Sequence, residues 1–265
     1  MPLRSLAFDR HTRPTAPGEQ VTDADFYQPR FVRALFDQLA GSYRWQQLIS
    51  LGLTQVWRRQ AVALLPGGPL GSIVDLMTGT GEMWTALRPR IGAGTQVHAV
   101  DFSGPMLGHA ARRRNTDGYS DRVMLYPADA TACPLPAAMA DAVVCGFGLK
   151  TLAAAEYEAL AREVQRLLRP GGSFVLVELT LPRQGCLRWA FGRYIGAVLP
   201  LAVWLSRGRA AMHRYLPYYA QQFSNLDAVE GAFHVAGLEN VRQVPLLLGC
   251  ATALVGCRTE TTSAC

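Results

Sequence analysis

Lysine is almost missing from this chain: of its 26 basic residues, Lys150 in "GFGLKT" is the single lysine and the others are arginine. The net charge of +6 fits an anionic membrane surface, a nucleic acid, or simply an arginine-rich coding habit. The arginines are scattered, which favours the last. The one run, Arg112 to Arg114, falls where a helix should end and cations suit the dipole. No basic stripe is interleaved with aromatics, so nothing resembles a nucleic-acid footprint. The six cysteines (133, 145, 186, 250, 257, 265) form neither a CxxC pair nor a Cys/His metal spacing. They read as reduced core thiols of a cytosolic protein, and no metal is expected. The N-terminus lacks the apolar core of a signal peptide. The longest apolar run, Ile195 to Leu205, is eleven residues with Pro200 inside it, too short to span a bilayer. A soluble, cytoplasmic protein that touches a membrane at most is the expectation.

What is present is 49% hydrophobic residues over 265 positions, enough for a full core in one domain. Residues 1–23 carry Pro, Thr and Gly without apolar periodicity and read as a flexible arm preceding a single domain over 24–265. Apolar residues then recur at helical spacing from Ala24 to Ala40 and from Tyr43 to Leu65, predicting two amphipathic helices within 24–66. Pro66-Gly67-Gly68-Pro69 breaks the second. Short apolar runs now alternate with helical stretches: "SIVDLM", "TQVHAVD", "RVMLYPAD", "DAVVCGF" and "GSFVLVELT". That alternation predicts an α/β fold with a doubly wound parallel sheet, whose ligands bind at the carboxyl ends of the strands. An aromatic insertion over 182–224 reads as a helical lid, followed by a helix near Leu226 to Ala236 and a closing hairpin, "LENVRQVPLL" and "CATALVGCR", which makes seven strands.

The chemistry begins at Asp75-Leu76-Met77-Thr78-Gly79-Thr80-Gly81. Two glycines at a strand-to-helix junction let the backbone turn tightly and offer its N–H groups to a polar ligand. A G-x-G-x-x-G loop needs glycine at 84, where this chain has Trp84, which argues against NAD or FAD. Asp101 ends the second strand, placed to bind ribose hydroxyls or, alternatively, to cap the following helix. Asp129 ends the third, suited to an amino group of adenine. Three carboxylates at successive strand ends would repel a pyrophosphate, so they suit a ligand without one.

The order "SIVDLMTGTGE", "VHAVDFSGPML", "PADATACPL", "DAVVCGFGLKT", "EVQRLLRPGGSFVLVEL" resembles class I S-adenosylmethionine-dependent methyltransferases, and among them the UbiE-like C-methyltransferases of ubiquinone and menaquinone synthesis. The likeness runs over about 31–257 and includes "LFDQLAGSYRW", "LGLTQVWRRQ" and "HRYL". It implies a Rossmann-like methyltransferase fold with S-adenosyl-L-methionine as cofactor and S-adenosyl-L-homocysteine as product. Carried over by position, Asp75, Gly79 and Gly81 line the methionine end; Asp101 holds the ribose; Phe102 and Met106 flank the adenine; and Asp129 and Ala130 touch its edge. Tyr43 matches a tyrosine that closes over the cofactor, with Arg44 where the family has aspartate, and Met77 replaces a small residue in the loop. Phe147, before Lys150, is placed with the cofactor set.

Methyl transfer from a sulfonium is an in-line displacement, so positioning and desolvation supply much of the rate. A ring carbon beside a hydroxyl must be made electron-rich by deprotonation, which asks for a base facing the site. Where the resembling family has Arg-Asn after Phe-Gly-Leu, this chain has Lys150-Thr151. Lysine has a tunable pKa and arginine a fixed planar fork, so Lys150 is a catalytic candidate; a solvated strand-end lysine is the plain alternative. His213 and Tyr215 in "MHRYLPYY" are the other catalytic candidates, and Thr151, Arg214, Trp204 and Tyr219 are expected at the substrate. The aromatic insertion suggests a large hydrophobic acceptor, a quinol, phenol or prenylated natural product, with peripheral membrane contact and a homodimer in view. Two other readings stay open: a cofactor-dependent cyclase of a polyene, and a non-catalytic scaffold in isoprenoid quinone assembly. A nucleic-acid methyltransferase is disfavoured, since strand four lacks an Asn-Pro-Pro-Tyr motif for a flipped base.

Overall fold

The computed structural model describes residues 27–39, 50, 52–182, 184–205, 223 and 225–260. Helices α1 (Pro29–Leu39) and α2 (Leu53–Val62) precede the sheet. Then follow β1 (Ser72–Leu76), α3 (Met83–Leu87), β2 (Gln96–Asp101), α4 (Gly104–Thr116), β3 (Val123–Pro127), β4 (Ala140–Gly146), α5 (Glu156–Leu167) and β5 (Leu168–Leu179). Helix α6 (Gly185–Leu205) lies in the insertion, and α7 (Asp227–Val235), β6 (Leu238–Pro245) and β7 (Ala251–Arg258) complete the chain.

The seven strands are ordered β3-β2-β1-β4-β5-β7-β6. Strands β1 to β5 are parallel, and β7 lies antiparallel to both β5 and β6. The closing hairpin was legible in sequence; the placing of its second strand inside the sheet, next to β5, was not.

Both faces of the sheet are covered, which is why its strands read as continuous apolar runs. Successive side chains go to opposite faces. Val74, Leu76, Val143, Cys145 and Leu176 enter one core with Leu160 and Val164 of α5 and Phe233 of α7. Ile73, Val97, Ala99, Val144 and Val175 enter the other with Trp57 and Ala61 of α2, Trp84 of α3 and Ala110 of α4. Phe233 meets Phe174 at 4.9 Å between ring centroids, and truncating such a ring costs about 3–5 kcal/mol.

Strand order reverses at β1, which has β2 on one side and β4 on the other. The loops leaving β1 to β4 therefore diverge around a crevice at one edge of the sheet, where an open α/β sheet binds its ligand.

Candidate active site

The loop after β1 is held in left-handed backbone at three points, Met77 (φ 53), Gly79 (φ 57) and Gly81 (φ 79). Glycine takes that conformation freely, whereas for methionine it is strained. At Gly81 a side chain is also excluded by contact, since a Cβ there would lie 2.6 Å from the Trp84 ring. The fully buried indole thus occupies the space beneath the loop, and its Nε1 donates to Asp75 Oδ2 at 3.0 Å. The Thr78 hydroxyl donates to the same oxygen. Asp75 Oδ1, equally buried, has no hydrogen-bond partner. Burial pushes the Asp75 carboxyl up to about 7, against the pull of the Thr78 and Trp84 hydrogen bonds and of Arg58.

Asp101 ties two loops together. Its Oδ2 accepts from the Gly79 N–H at 2.8 Å and its Oδ1 from the Ser103 N–H at 2.9 Å. Burial raises its pKa, partly offset by the Ser103 and Gly79 N–H groups. The N-cap of α4 is Ser103, whose hydroxyl accepts from Met106 N, so the capping alternative for Asp101 does not hold. Helix α1 closes over this corner: Ser103 Oγ donates to Asp37 at 2.5 Å, and Arg33 donates to the Phe102 carbonyl at 2.7 Å.

Between α1 and the strand ends lies a cleft of about 640 Å³. Met77, Phe102, Asp129, Ala130 and Thr151 line it, with Tyr27, Arg30 and Asp37 opposite. Five residues selected from sequence therefore converge on one cavity. Asp129 is exposed, and its Oδ1 accepts from Thr131 N and Oγ1. Met106 is buried in the first turn of α4 and does not line the cleft.

The turn after β4 departs from the picture of a solvated lysine. Leu149–Thr151 form one turn of 3₁₀ helix, and Lys150 is only 5% exposed. Its Nζ donates to Glu178 Oε1 of β5 at 3.0 Å and to the Phe147 carbonyl at 2.5 Å. Glu178, fully buried, also accepts from Lys150 N at 3.2 Å and Leu179 N at 2.7 Å. Phe147 has φ 69, and its ring lies 4.8 Å from the guanidinium carbon of Arg58, which is itself 2% exposed. Thr151 Oγ1 donates to the Gly148 carbonyl.

Tyr43, His213, Arg214, Tyr215 and Tyr219 lie outside the described residues, and of Trp204 only its place on α6 is described. His98 is tied to the Tyr126 hydroxyl at 3.1 Å within the sheet, a structural position. Cys133, Cys145 and Cys250 are buried free thiols, and burial pushes Cys133 up to about 12. Among the described residues no cluster could hold a metal ion and no helix is long and apolar enough to cross a membrane.

The model of the ubiE/COQ5 methyltransferase family matches residues 23–258. The chain belongs to that family. It is 35% identical to a demethylmenaquinone methyltransferase of Thermus thermophilus over 84% of this chain and 100% of that one. A ubiquinone/menaquinone biosynthesis C-methyltransferase UbiE of Geotalea daltonii is 26% identical over 85% and 95%. Among solved structures, a SAM-dependent methyltransferase from Aquifex aeolicus aligns with TM-score 0.53 at 16% identity, over 81% of this chain and 96% of that one. Human N-acetylserotonin methyltransferase in complex with SAM aligns with TM-score 0.54 at 16% identity, over 81% and 55%.

As a member of the ubiE/COQ5 family the protein is an S-adenosylmethionine-dependent methyltransferase. The residues present fit that cofactor: a cleft of nucleoside size, an acid at three successive strand ends, and one buried carboxylate oxygen, Asp75 Oδ1, still lacking a donor. Sequence reasoning passed over Glu178 and Arg58. Glu178 is a lone acid in the apolar run "FVLVEL", and a charge in a strand buried on both faces requires a partner. Arg58 falls on the buried face of α2 with Thr54, Trp57, Ala61 and Val62, a helical spacing that exposed arginine seldom shares.

Proposed function

We propose that this methyltransferase alkylates a ring carbon of a hydrophobic quinol or phenol. The observation that carries the reading is the Lys150–Glu178 pair, a buried cation fixed beside Thr151, which lines the cleft. The names of the relatives support the same acceptor class. When bound, the cofactor supplies an electrophilic methyl group on a sulfonium. Asp101 would hold the ribose with its remaining lone pairs, Phe102 and Ala130 the adenine faces, Asp129 the amino edge, and Asp75 the ammonium of the methionine end. Met106 would support the adenine site from beneath and Phe147 the sulfonium side.

On the acceptor side, Lys150 would present its third N–H to the developing phenolate, stabilising negative charge as it forms. As the cation of an ion pair it works as a donor, which leaves proton acceptance to His213 or Tyr215. Thr151, Arg214, Trp204 and Tyr219 would orient the ring and its hydrophobic tail. The insertion containing α6 would exclude water from the reacting atoms. Membrane contact would bring a prenylated acceptor to the cleft, and Trp189, Leu247 and Leu248 are large apolar side chains left exposed.

The test is incubation with methyl-labelled S-adenosylmethionine and a panel of quinols, phenols and polyprenyl acceptors. Label in a carbon-bound methyl supports the proposal. A rearranged, unlabelled product would replace it with a cyclase, and cofactor binding with no product from any acceptor would replace it with a scaffold.

A further inference from the structure

Helix α2 delivers a buried arginine to the end of β4. Arg58 is 2% exposed, and its Nε would lie 3.5 Å from a Cβ placed on Gly146, the last residue of that strand. That is ordinary contact distance; the atoms a Cβ at Gly146 would crowd belong to Met83, with Sδ at 2.9 Å. The Phe147 ring covers its face. A guanidinium hydrogen-bonds only in its plane, so the edge donors still need acceptors.

Those donors are poorly served. Nη1 lies 3.1 Å from Glu82 Oε2 without making a hydrogen bond, and neither Nε nor Nη1 has a hydrogen-bond partner. Glu82 is shared with a second cation, Arg113, at 3.5 Å. Native proteins rarely leave buried donors of a charged group unmade, because the desolvation cost is then uncompensated. The Glu82 carboxylate supplies a counter-charge, but an acceptor for Nε, and one better aligned with Nη1, is what this position lacks.

The second orphan has the opposite sign. Asp75 Oδ1 is buried without a donor, and Arg58 acts on the Asp75 carboxylate electrostatically. The Gly79–Glu82 turn and the start of α3 join the two: Trp84 of α3 bonds Asp75, while Glu82 of the turn pairs with Arg58. One buried acceptor and one buried donor edge flanking a single loop call for a ligand bearing an ammonium and a carboxylate on neighbouring atoms. An α-amino acid group is such a ligand.

We infer that Arg58 binds the carboxylate of the methionine end of the cofactor, opposite Asp75, which takes its ammonium. The inference rests on the cofactor assignment and assigns to "VWRRQ" a role in binding rather than in helix packing alone. It also gives Phe147 a task, that of holding the guanidinium flat so that its edge is presented.

Isothermal titration of the whole protein tests it with two ligands that differ by one group, S-adenosylhomocysteine and its decarboxylated analogue 5′-(3-aminopropylthio)adenosine. The wild type should bind the first about 10- to 150-fold more tightly, the factor expected of a charge-assisted hydrogen bond. In Arg58→Gln the preference should collapse to roughly threefold or less, with the decarboxylated ligand binding as it does to wild type. In Arg58→Lys, which keeps the charge without the fork, an intermediate preference is expected. A wild-type preference below threefold overturns the inference, as does a preference that survives intact in either variant. If neither variant folds, the wild-type ratio decides. Failure of S-adenosylhomocysteine to bind at all would instead overturn the cofactor assignment beneath it.

Discussion

Replacing Lys150 by methionine removes one member of a pair in which the lysine side chain is 6% exposed and the glutamate 0%. Stranding one partner of a buried ion pair costs about 3–5 kcal/mol. Two backbone N–H groups, of Lys150 and Leu179, would still serve Glu178. The expected loss is therefore near the lower bound, about 3 kcal/mol. For a chain of this length each kcal/mol shifts Tm by roughly 2–4 °C, so Lys150→Met should melt about 6–12 °C lower by calorimetry. The double variant Lys150→Met/Glu178→Gln removes both charges and should recover part of that loss: no charge is left buried and unpaired, but the amide offers one acceptor oxygen where both carboxylate oxygens accepted backbone N–H groups. Turnover should not recover with it if Lys150 serves the acceptor, while the Kd for S-adenosylhomocysteine should stay within about threefold of wild type, below the effect of one net hydrogen bond. A Tm within 2 °C of wild type for Lys150→Met would refute the reading of this pair as a coupled buried unit. Turnover restored in the double variant would refute the acceptor role alone.

Gly81→Ala would place a Cβ 2.6 Å from the Trp84 ring in a backbone already at φ 79, and should lower stability by about 2–4 kcal/mol, a combination of overpacking and strain, measured by denaturant unfolding. Gly148→Ala meets Met77 Sδ at 2.6 Å and Met77 Cβ at 2.9 Å; the sulfur can turn aside but the Cβ cannot, so the cost should be about 1–3 kcal/mol and be relieved only in part in Gly148→Ala/Met77→Ala, a cycle that non-additive melting temperatures would confirm and additive ones overturn. The Asp75 carboxyl is raised from 3.8 to about 7, so the folded state holds more protons than the unfolded chain between about pH 4 and 7. Stability from this group is then present at low pH and lost as pH rises through about 7, a trend that Asp75→Asn should flatten in chemical denaturation at a series of pH values. A ligand ammonium favours the ionised carboxylate, so S-adenosylhomocysteine should bind more weakly at pH 6 than at pH 8 and release a proton on binding, read from titrations in buffers of different ionisation enthalpy.

The strand-and-helix alternation was legible because parallel strands buried on both faces must be apolar along their whole length, and the turns between them must carry Gly, Pro or Asp. The acids at the ends of β1, β2 and β3 were legible for a related reason: position along a strand places a residue at the carboxyl edge whatever its neighbours do. Met106 shows where that logic stops. It sits in the first turn of α4, where the resemblance implied a place beside the adenine, but packing turns it into the core rather than onto the cleft wall.

By itself, the sequence determined the doubly wound architecture, the glycine loop after β1 and the family, since each depends on residue type and local spacing. Only the tertiary structure decided that β7 enters the sheet beside β5, that Trp84 fills the space under Gly81, and that Lys150 is buried against Glu178. The first and the last depend on partners distant in the chain: Val175 of β5 pairs with Val255 of β7, and Lys150 meets a glutamate 28 residues away. A lysine's charge is written in the chain, but whether water or a carboxylate meets it is settled by which strand folds alongside.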